Sequence, residues 1–115
     1  MNYQTKFFNL LTICEKSGNL IKGFDTVKEA LQKNGSGCVF ICQDLSQRTR
    51  KEIDYICSGM KNTDVINLPF DMDQVGVNIG KKVGVMAVCD QGFAAKLKQY
   101  ASAITESAGS DVEKH

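Results

Sequence analysis

The stretch SGNLIKGFDTVKEAL, residues 17–31, joins a glycine-punctuated link to the start of an amphipathic pattern. A helix is predicted from about residue 25 to 33, with an inner face made of Val27, Ala30 and Leu31. Asp25 or Thr26 suits its N-cap. Because the start of a helix has unpaired amides and a partial positive charge, it often faces phosphate. Asp25, however, brings a carboxylate to the position that an anion would occupy.

Helical and extended patterns alternate on both sides of this stretch. The link before Gly23 is a short extended segment or an edge strand, and NGSG at 34–37 is a turn. A fully buried strand is predicted at 38–44, a short strand at 64–70, and a turn that enters the last buried strand at 80–90. Further helices are predicted at 5–16, from Ser46, at 71–79 and at 91–104. Alternation of strands and helices predicts an α/β fold with three layers, α/β/α.

The length of 115 residues is that of one compact domain. The sequence contains no internal repeat, low-complexity segment or linker. The end, ESAGSDVEKH, is rich in small and charged residues, which is typical of a flexible tail. We therefore predict a single domain over residues 1–105, followed by a flexible tail over 106–115.

The charge of the chain is nearly balanced, with 14 Lys and Arg against 13 Asp and Glu. Without residues 106–115 the counts become 13 and 10, a balance of +3. Strongly basic nucleic-acid binders usually have a domain pI above about 9, so the bulk charge argues against that class. The chain begins without the pattern of a signal peptide, and no apolar stretch approaches the ~20 residues that cross a bilayer. These features predict a cytoplasmic protein with no membrane partner.

Five cysteines occur in the chain, an odd number without a secretion signal, which indicates reduced thiols. Each lies in an apolar stretch and is interpreted as a small core residue. Cys38 and Cys42 would lie about 13 Å apart along a strand, too far to share a metal ion. An alternative is a small thiol enzyme that uses Cys57 or Cys89, which would require an exposed thiol of low pKa.

Other catalytic or cofactor patterns find little support. The only histidine, His115, is the last residue of the sequence, which argues against a Ser-His-Asp or Cys-His site. Asp71 and Asp73 lack the further oxygen ligands of a calcium loop, and helix capping is favoured for them. Neither GxGxxG nor GxxxxGK[ST] occurs. We therefore predict that the protein is not an enzyme and uses no metal or cofactor.

Two glycine-containing bends remain as a candidate surface, at residues 22–26 and 80–83. If the strands run parallel, both bends are expected at one end of the sheet, where lysines and free helix amides would converge. A glycine in such a bend lets a nucleic-acid backbone approach closely. The alternative interpretation is that Gly23 and Gly80 only turn the chain.

Four motifs follow one another along the chain in an order that is also found in a known family. They are KSGNLIKGFDTVKEAL (16–31), VFICQDLSQRTRKEI (39–53), VINLPF (65–70) and VGVNIGKKVGVMAVCDQGFAAKL (75–97). Over about residues 7–98 the chain resembles the seven-Ae family of ribosomal large-subunit proteins, which includes kink-turn-binding proteins. It is most similar to the YlxQ-like bacterial branch. The resemblance implies a three-layer α-β-α sandwich with a mixed four-stranded sheet.

The resemblance also implies a mode of RNA binding. In such proteins the helix start after the glycine enters the groove of a kink-turn, where an Asn-Glu pair reads sheared G·A pairs and a later Lys meets phosphate. A loop before the last strand covers an extruded nucleotide with apolar side chains. Gly23 matches the glycine, whereas Asp25, Thr26 and Glu29 replace the Asn, the Glu and the Lys. Since ionised Asp only accepts hydrogen bonds, weaker or differently specific RNA binding is expected.

The sequence thus predicts a non-catalytic RNA-binding protein, ribosome-associated or specific for structured, kink-turn-like RNA. The predicted RNA-binding residues are Lys22, Gly23, Phe24, Asp25, Thr26, Lys28, Lys81, Lys82 and Val83. The alternative is a protein-interaction module that kept the fold and lost kink-turn binding, which the near-neutral charge, Asp25 and Glu29 favour. The expected partner is structured RNA, with ribosomal RNA among the candidates, or a protein in the alternative case.

Overall fold

The computed structural model describes residues 2–34 and 37–113. In these ranges helices and strands alternate as predicted. In chain order the elements are α1 Tyr3–Lys16, β1 Leu20–Lys22, α2 Phe24–Asn34, β2 Gly37–Ile41, α3 Gln47–Ser58, β3 Thr63–Asn67, α4 Met72–Ile79, β4 Val85–Val88 and α5 Gln91–Glu113. The α/β fold is confirmed. The predicted turn at 34–37 includes Gly35 and Ser36, which lie outside the described residues.

The four strands form one sheet in the order β1-β4-β2-β3. Strands β2 and β3 are parallel, whereas β4 is antiparallel to both of its neighbours, β1 and β2. The predicted mixed four-stranded sheet is therefore confirmed. Since β1 and β2 both oppose β4, the strands β1, β2 and β3 run in one direction and β4 runs back.

The sheet separates two apolar cores, which makes the fold three-layered. On one side, Phe40 packs in a cluster with residues of α1, α4 and α5. On the other side, Val39 and Ile41 pack with residues of α2 and α3. The two sets alternate along β2 because successive side chains of a strand point to opposite faces. A run of apolar residues such as CVFI is therefore buried on both faces, as predicted for a fully buried strand.

Aromatic rings hold the layer of α1, α4 and α5 against the sheet. Phe7, on α1, lies with its ring centroid 6.0 Å from that of Phe40 and 5.6 Å from that of Phe70. Phe8 and Phe70 are closer still, at 4.6 Å. These tilted and edge-on arrangements are the ones aromatic pairs prefer. The rings tie α1 to the segment that leaves β3 for α4.

Helix ends are closed by local hydrogen bonds. After α1, the Asn19 amide donates to the Cys14 carbonyl at 3.0 Å, while Gly18 adopts a φ of +82°. A glycine in the left-handed conformation is a common way for a helix to end. At the start of α4, Asp71 and Gln74 each accept a hydrogen bond from the other's backbone amide. Asp71 is thus a helix cap, as predicted.

Helix α5 continues past the end that the sequence predicted at residue 104, since it reaches Glu113. Residues 105–113 contain no proline and a single glycine, so little in their composition forces a helix to stop. The division of the chain at residue 105 and the flexibility of residues 106–115 stay predictions, and His115 lies outside the described residues. Among the helices described, none has the length and apolar character needed to cross a membrane.

Replacement of Leu31 by alanine should destabilise the domain, because Leu31 is 1% exposed and anchors α2 to the sheet. Truncation of a buried leucine of this kind costs about 2–5 kcal/mol. Urea denaturation followed by circular dichroism should show a lower midpoint with an unchanged slope. Lys33→Ala, at an exposed position of the same helix, should leave the midpoint nearly unchanged. Equal midpoints for the two variants would contradict the packing of α2 described here.

Candidate functional site

The two predicted bends lie side by side. In the β1–β4 pair Lys22 stands opposite Met86, and the Gly23 amide donates to the Val85 carbonyl at 3.0 Å. The bend after β1 and the bend before β4 therefore meet at one end of the sheet. Parallel strands were expected to bring the two bends together, and that expectation was wrong. If β1 and β4 were parallel, the end of β1 and the start of β4 would lie at opposite ends of the sheet. Antiparallel pairing places them next to each other.

The same end collects three helix starts. We call it the upper end: β1, β2 and β3 finish there, β4 begins there, and α2, α3 and α4 start there. Partial positive charge from three helix dipoles is thus directed to one side of the molecule. Residues 22–26 and 80–84 form one half of the upper end. Residues 42–46 and 68–71 form the other half.

Gly23 sets the backbone conformation of the first bend. Its φ is +92°, a left-handed value that glycine adopts freely. Its carbonyl accepts the Val27 amide at 2.9 Å, which opens α2. Within the described parts of the chain, the amides of Phe24, Asp25 and Thr26 have no hydrogen-bond acceptor. A Cβ atom at Gly23 would meet nothing within 4 Å, so the space above this bend is open.

Two of the four predicted lysines are paired with carboxylates. Lys22 Nζ lies 2.8 Å from Glu15 Oε2, with both side chains about three-quarters buried. Lys82 Nζ lies 3.0 Å from Asp73 Oδ1 in an exposed pair, and the hydrogen bond to this carboxylate raises the pKa of Lys82. Both ammonium groups are therefore partly neutralised by the protein itself.

The remaining charges of the first half are exposed and mixed in sign. Lys28 and Lys81 have exposed side chains and no ion pair among the described residues. Asp25, Thr26 and Glu29 are exposed on the first turns of α2. The upper end is thus neither strongly cationic nor acidic as a whole.

Two of the predicted residues pack into the apolar cores, one fully and one in part. Val83, which the resemblance implied as an apolar contact, is 6% exposed and belongs to the core on the side of α1, α4 and α5. Its carbonyl accepts the Cys42 thiol at 3.5 Å. Phe24 is half-buried and packs against the core on the side of α2 and α3. In this conformation the Val83 side chain is not available to cover a nucleotide.

Other apolar side chains lie at the β4 bend that the sequence did not single out. Leu45 and Met72 are half-buried and approach Gly84 so closely that a Cβ there would lie 2.7 Å from Leu45 Cδ1 and 3.1 Å from Met72 Sδ. They come from the loop after β2 and the start of α4. No sequence periodicity links these positions, so only the folded chain brings them to the bend.

The basic first turn of α3 has a mainly structural use. Arg50 donates from Nη2 to the Cys42 carbonyl at 3.1 Å and from Nη1 to Asn67 Oδ1. It thereby joins the loop that follows β2 to the end of β3. Arg48 lies 3.7 Å from Glu52 in an exposed pair, as expected for a solvated helix face. Lys51 is exposed and has no ion pair within the described ranges.

The thiols do not provide a nucleophile. Cys14, Cys38, Cys42 and Cys57 are buried and Cys89 is half-buried, which confirms the first four as core residues. Burial raises the pKa of Cys42 to about 12 and that of Cys14 and Cys38 to about 11. The pKa of Cys57 and of Cys89 is raised by burial as well. A thiol enzyme would need an exposed thiol of lowered pKa, and burial acts on all five thiols in the opposite direction, so the structure does not favour that alternative.

Metal ligands are also not gathered in one place. In the part of the chain that the structure describes, no three His, Cys, Asp or Glu residues are placed to hold a metal ion. Asp73, considered in the sequence for a hard cation, instead faces Lys82. The upper end is exposed and open, which suits contact with a macromolecule better than catalysis in an enclosed pocket.

The sequence matches, over residues 5–98, the family described as Ribosomal protein L7Ae/L30e/S12e/Gadd45. The chain belongs to this family. The match includes both bends of the upper end and all four strands. The predicted resemblance is thereby confirmed at the level of the family, whereas the YlxQ-like branch stays a prediction. Membership supports RNA-binding and ribosome-associated roles in general for this L7Ae-family chain.

One solved structure extends the comparison. It is that of a protein of unknown function from Bacillus halodurans, 26% identical, with a TM-score of 0.75. The superposition covers 84% of this L7Ae-family chain and 97% of the other protein. Among curated proteins, none matches this sequence. The Bacillus halodurans protein and this chain therefore have the same fold over the superposed residues.

Gly23→Ala should lower the free energy of unfolding by about 1–2 kcal/mol, because a left-handed φ is unfavourable for residues with a Cβ atom. Gly23→Asn should cost less, since asparagine tolerates this conformation. The open space around Gly23 excludes a steric cause. Thermal or urea unfolding of the two variants measures the difference. Equal and negligible losses in both would contradict the strained backbone assigned to this bend.

Alkaline pH should destabilise the protein through its buried thiols. Folded thiols with a raised pKa stay neutral, whereas unfolded thiols ionise near the ordinary cysteine pKa of 9.0. The unfolded state then binds fewer protons, so stability is complete below about pH 9 and falls as pH rises towards 11–12, by up to about 1.4 kcal/mol per pH unit for each thiol. Cys42→Ala should show a shallower fall than the native chain in urea titrations between pH 8 and 10.5. An identical fall in both would contradict a role for the Cys42 thiol.

Proposed function

We propose that this L7Ae-family protein is a non-catalytic RNA-binding protein that holds a structured, kink-turn-like RNA at its upper end. One observation carries the proposal: the Gly23 bend and the bend before β4 are joined by the hydrogen bond between Gly23 and Val85, with an open space above them. Family membership supports RNA as the ligand class.

The upper end offers the contacts that an RNA backbone needs. The free amides at the start of α2 and the positive end of its dipole can receive a phosphate. The missing side chain of Gly23 leaves the backbone accessible to close approach. Lys28 and Lys81 are exposed and unpaired in the described chain, so their charges are available to further phosphates. Half-buried Leu45 and Met72, rather than Val83, are the apolar groups nearest to an extruded nucleotide.

The affinity is expected to be moderate. Phosphate contacts supply much of the affinity for nucleic acid, and base contacts supply specificity. Lys22 and Lys82 must give up or share their carboxylate partners to bind phosphate. Asp25, Thr26 and Glu29 replace the residues that read kink-turn bases in the related proteins. Both effects point to RNA binding that is weaker or differently specific than in the ribosomal members.

The proposed setting is the cytoplasm, with ribosomal RNA or another structured RNA as the partner. Five free cysteines fit a reducing compartment. A role in translation follows if the RNA is ribosomal.

A protein-interaction module is the second candidate, and one observation favours it. Glu15 and Asp73 neutralise two of the predicted phosphate-binding lysines. A module of this kind would show no affinity for a kink-turn RNA at physiological salt. Its protein partner would be recovered by pull-down even after nuclease treatment.

Reversal of two charges tests the RNA-binding proposal. Lys81→Glu with Lys82→Glu should weaken binding of a kink-turn RNA hairpin and reduce the slope of log affinity against log salt by about 2, because two phosphate contacts are lost. Most of the loss should come from Lys81, since the charge of Lys82 is already offset by Asp73. Gel-shift titrations between 50 and 200 mM salt measure both quantities.

A matched pair of lysines provides the control. Lys61→Glu with Lys96→Glu changes the net charge equally, but both residues are exposed and lie away from the upper end, before β3 and on α5. This variant should retain most of the affinity. If both double variants weaken binding equally, the upper end is not the binding site, and if the native chain does not bind, the protein-interaction candidate is favoured.

A further inference from the structure

We infer that the groove between α2 and α3 holds a single-stranded segment of the same RNA, with one base stacked on Tyr55. The inference deepens the proposed function and rests on it, because the groove begins at the upper end. It assigns to Tyr55, Lys28 and Lys51 a contact with nucleotides that extend beyond the bent core of the RNA.

The two helices form an open groove between them. Both lie on the same side of the sheet and start at the upper end, so they run side by side in one direction. The hollow between them has a volume of about 400 Å³ and is lined by Lys28, Gln32, Lys51, Glu52, Tyr55 and Ile56. A second hollow continues past Tyr55 towards the end of α3 and includes Met60. Tyr55 thus stands between two successive hollows of the groove.

Tyr55 is exposed without a structural reason. Its side chain is 82% accessible although it is large and aromatic, and no other ring packs against it among the described residues. Tyr3, the other tyrosine with a well-exposed ring, has Tyr100 and the Lys6 ammonium group as ring partners. An exposed aromatic face is a platform on which any base can stack.

The charges of the groove suit a phosphate backbone. Lys28 is the fifth residue of α2 and Lys51 the fifth of α3, so they flank the groove at a similar depth, about one turn above Tyr55. Neither forms an ion pair among the residues described. The single carboxylate in the lining, Glu52, faces Arg48. A phosphate can therefore lie between the two ammonium groups while its base reaches Tyr55.

Continuity favours RNA as the occupant. Lys28 belongs both to the predicted phosphate contacts of the upper end and to the lining of this groove. A strand that leaves the bent RNA at the start of α2 enters the groove directly. An acidic peptide would also contact the lysines. It would not, however, be continuous with a ligand that is already bound at the upper end, whereas a strand of the same RNA would be.

The first experiment measures the gain from a single-stranded extension. The probes are a kink-turn RNA hairpin and the same hairpin with ten uridines added at its 5′ or its 3′ end. The native chain should bind one extended hairpin more tightly than the plain one. Tyr55→Ala should remove about 5- to 160-fold of affinity for the extended hairpin, the range measured for loss of one base–aromatic stack, and leave the plain hairpin unaffected. Tyr55→Phe keeps the ring and should retain the gain.

A second measurement reports stacking directly. The chain has no tryptophan, so Tyr55→Trp places a single tryptophan in the groove, whose emission can be excited selectively above the absorption of the remaining tyrosines. Its emission should be quenched on addition of the extended hairpin. Ala95→Trp is a matched control, because Ala95 is exposed on α5, on the opposite side of the sheet, and lines a hollow with Gly37 and Asn62 at the end of the sheet opposite to the upper end. Its emission should stay unchanged.

The outcomes separate this inference from the proposed function. Binding of the plain hairpin with no gain from either extension, or an equal gain in Tyr55→Ala, would overturn the groove assignment and leave the proposed function standing. No binding of any hairpin by the native chain would overturn both. Quenching at position 95 equal to that at position 55 would show non-specific contact and overturn the assignment of Tyr55.

Discussion

The hydrogen bond between the Gly23 amide and the Val85 carbonyl, at 3.0 Å, is the interaction on which the candidate site depends. It extends the antiparallel pairing of β1 with β4 by one residue beyond Lys22. At that residue, Gly23 also turns the chain into α2. Two segments that lie far apart in the sequence are thereby held in contact. Antiparallel pairing is essential, because only then does the end of β1 lie beside the start of β4.

The distribution of charge at the upper end sets the character of the ligand. Glu15 and Asp73 hold Lys22 and Lys82, while Lys28 and Lys81 remain available. Exposed ion pairs such as that of Lys82 contribute little to stability and exchange readily with other partners. For the proposed RNA site, a net charge near neutrality favours a ligand recognised by shape over one held by bulk electrostatic attraction.

Local patterns were sufficient for the elements and for most caps. The inner face of α2, the buried run of β2 and the glycine end of α1 follow from side-chain spacing and backbone preference, which are properties of short segments. The site was predicted less well. Val83 was assigned an apolar contact with RNA through the family resemblance, but its side chain is buried in the core. Leu45 and Met72 were missed, since they reach the bend from separate loops.

The sequence by itself determined the fold class, the family, the positions of helices and strands and the core character of four cysteines, because burial patterns and ordered motifs are written along the chain. Only the tertiary structure decided that the two bends share one end, that Arg50 joins two loops and that Tyr55 stands open between α2 and α3. These features depend on strand direction and on contacts between distant segments, and neither quantity leaves a signal in local sequence.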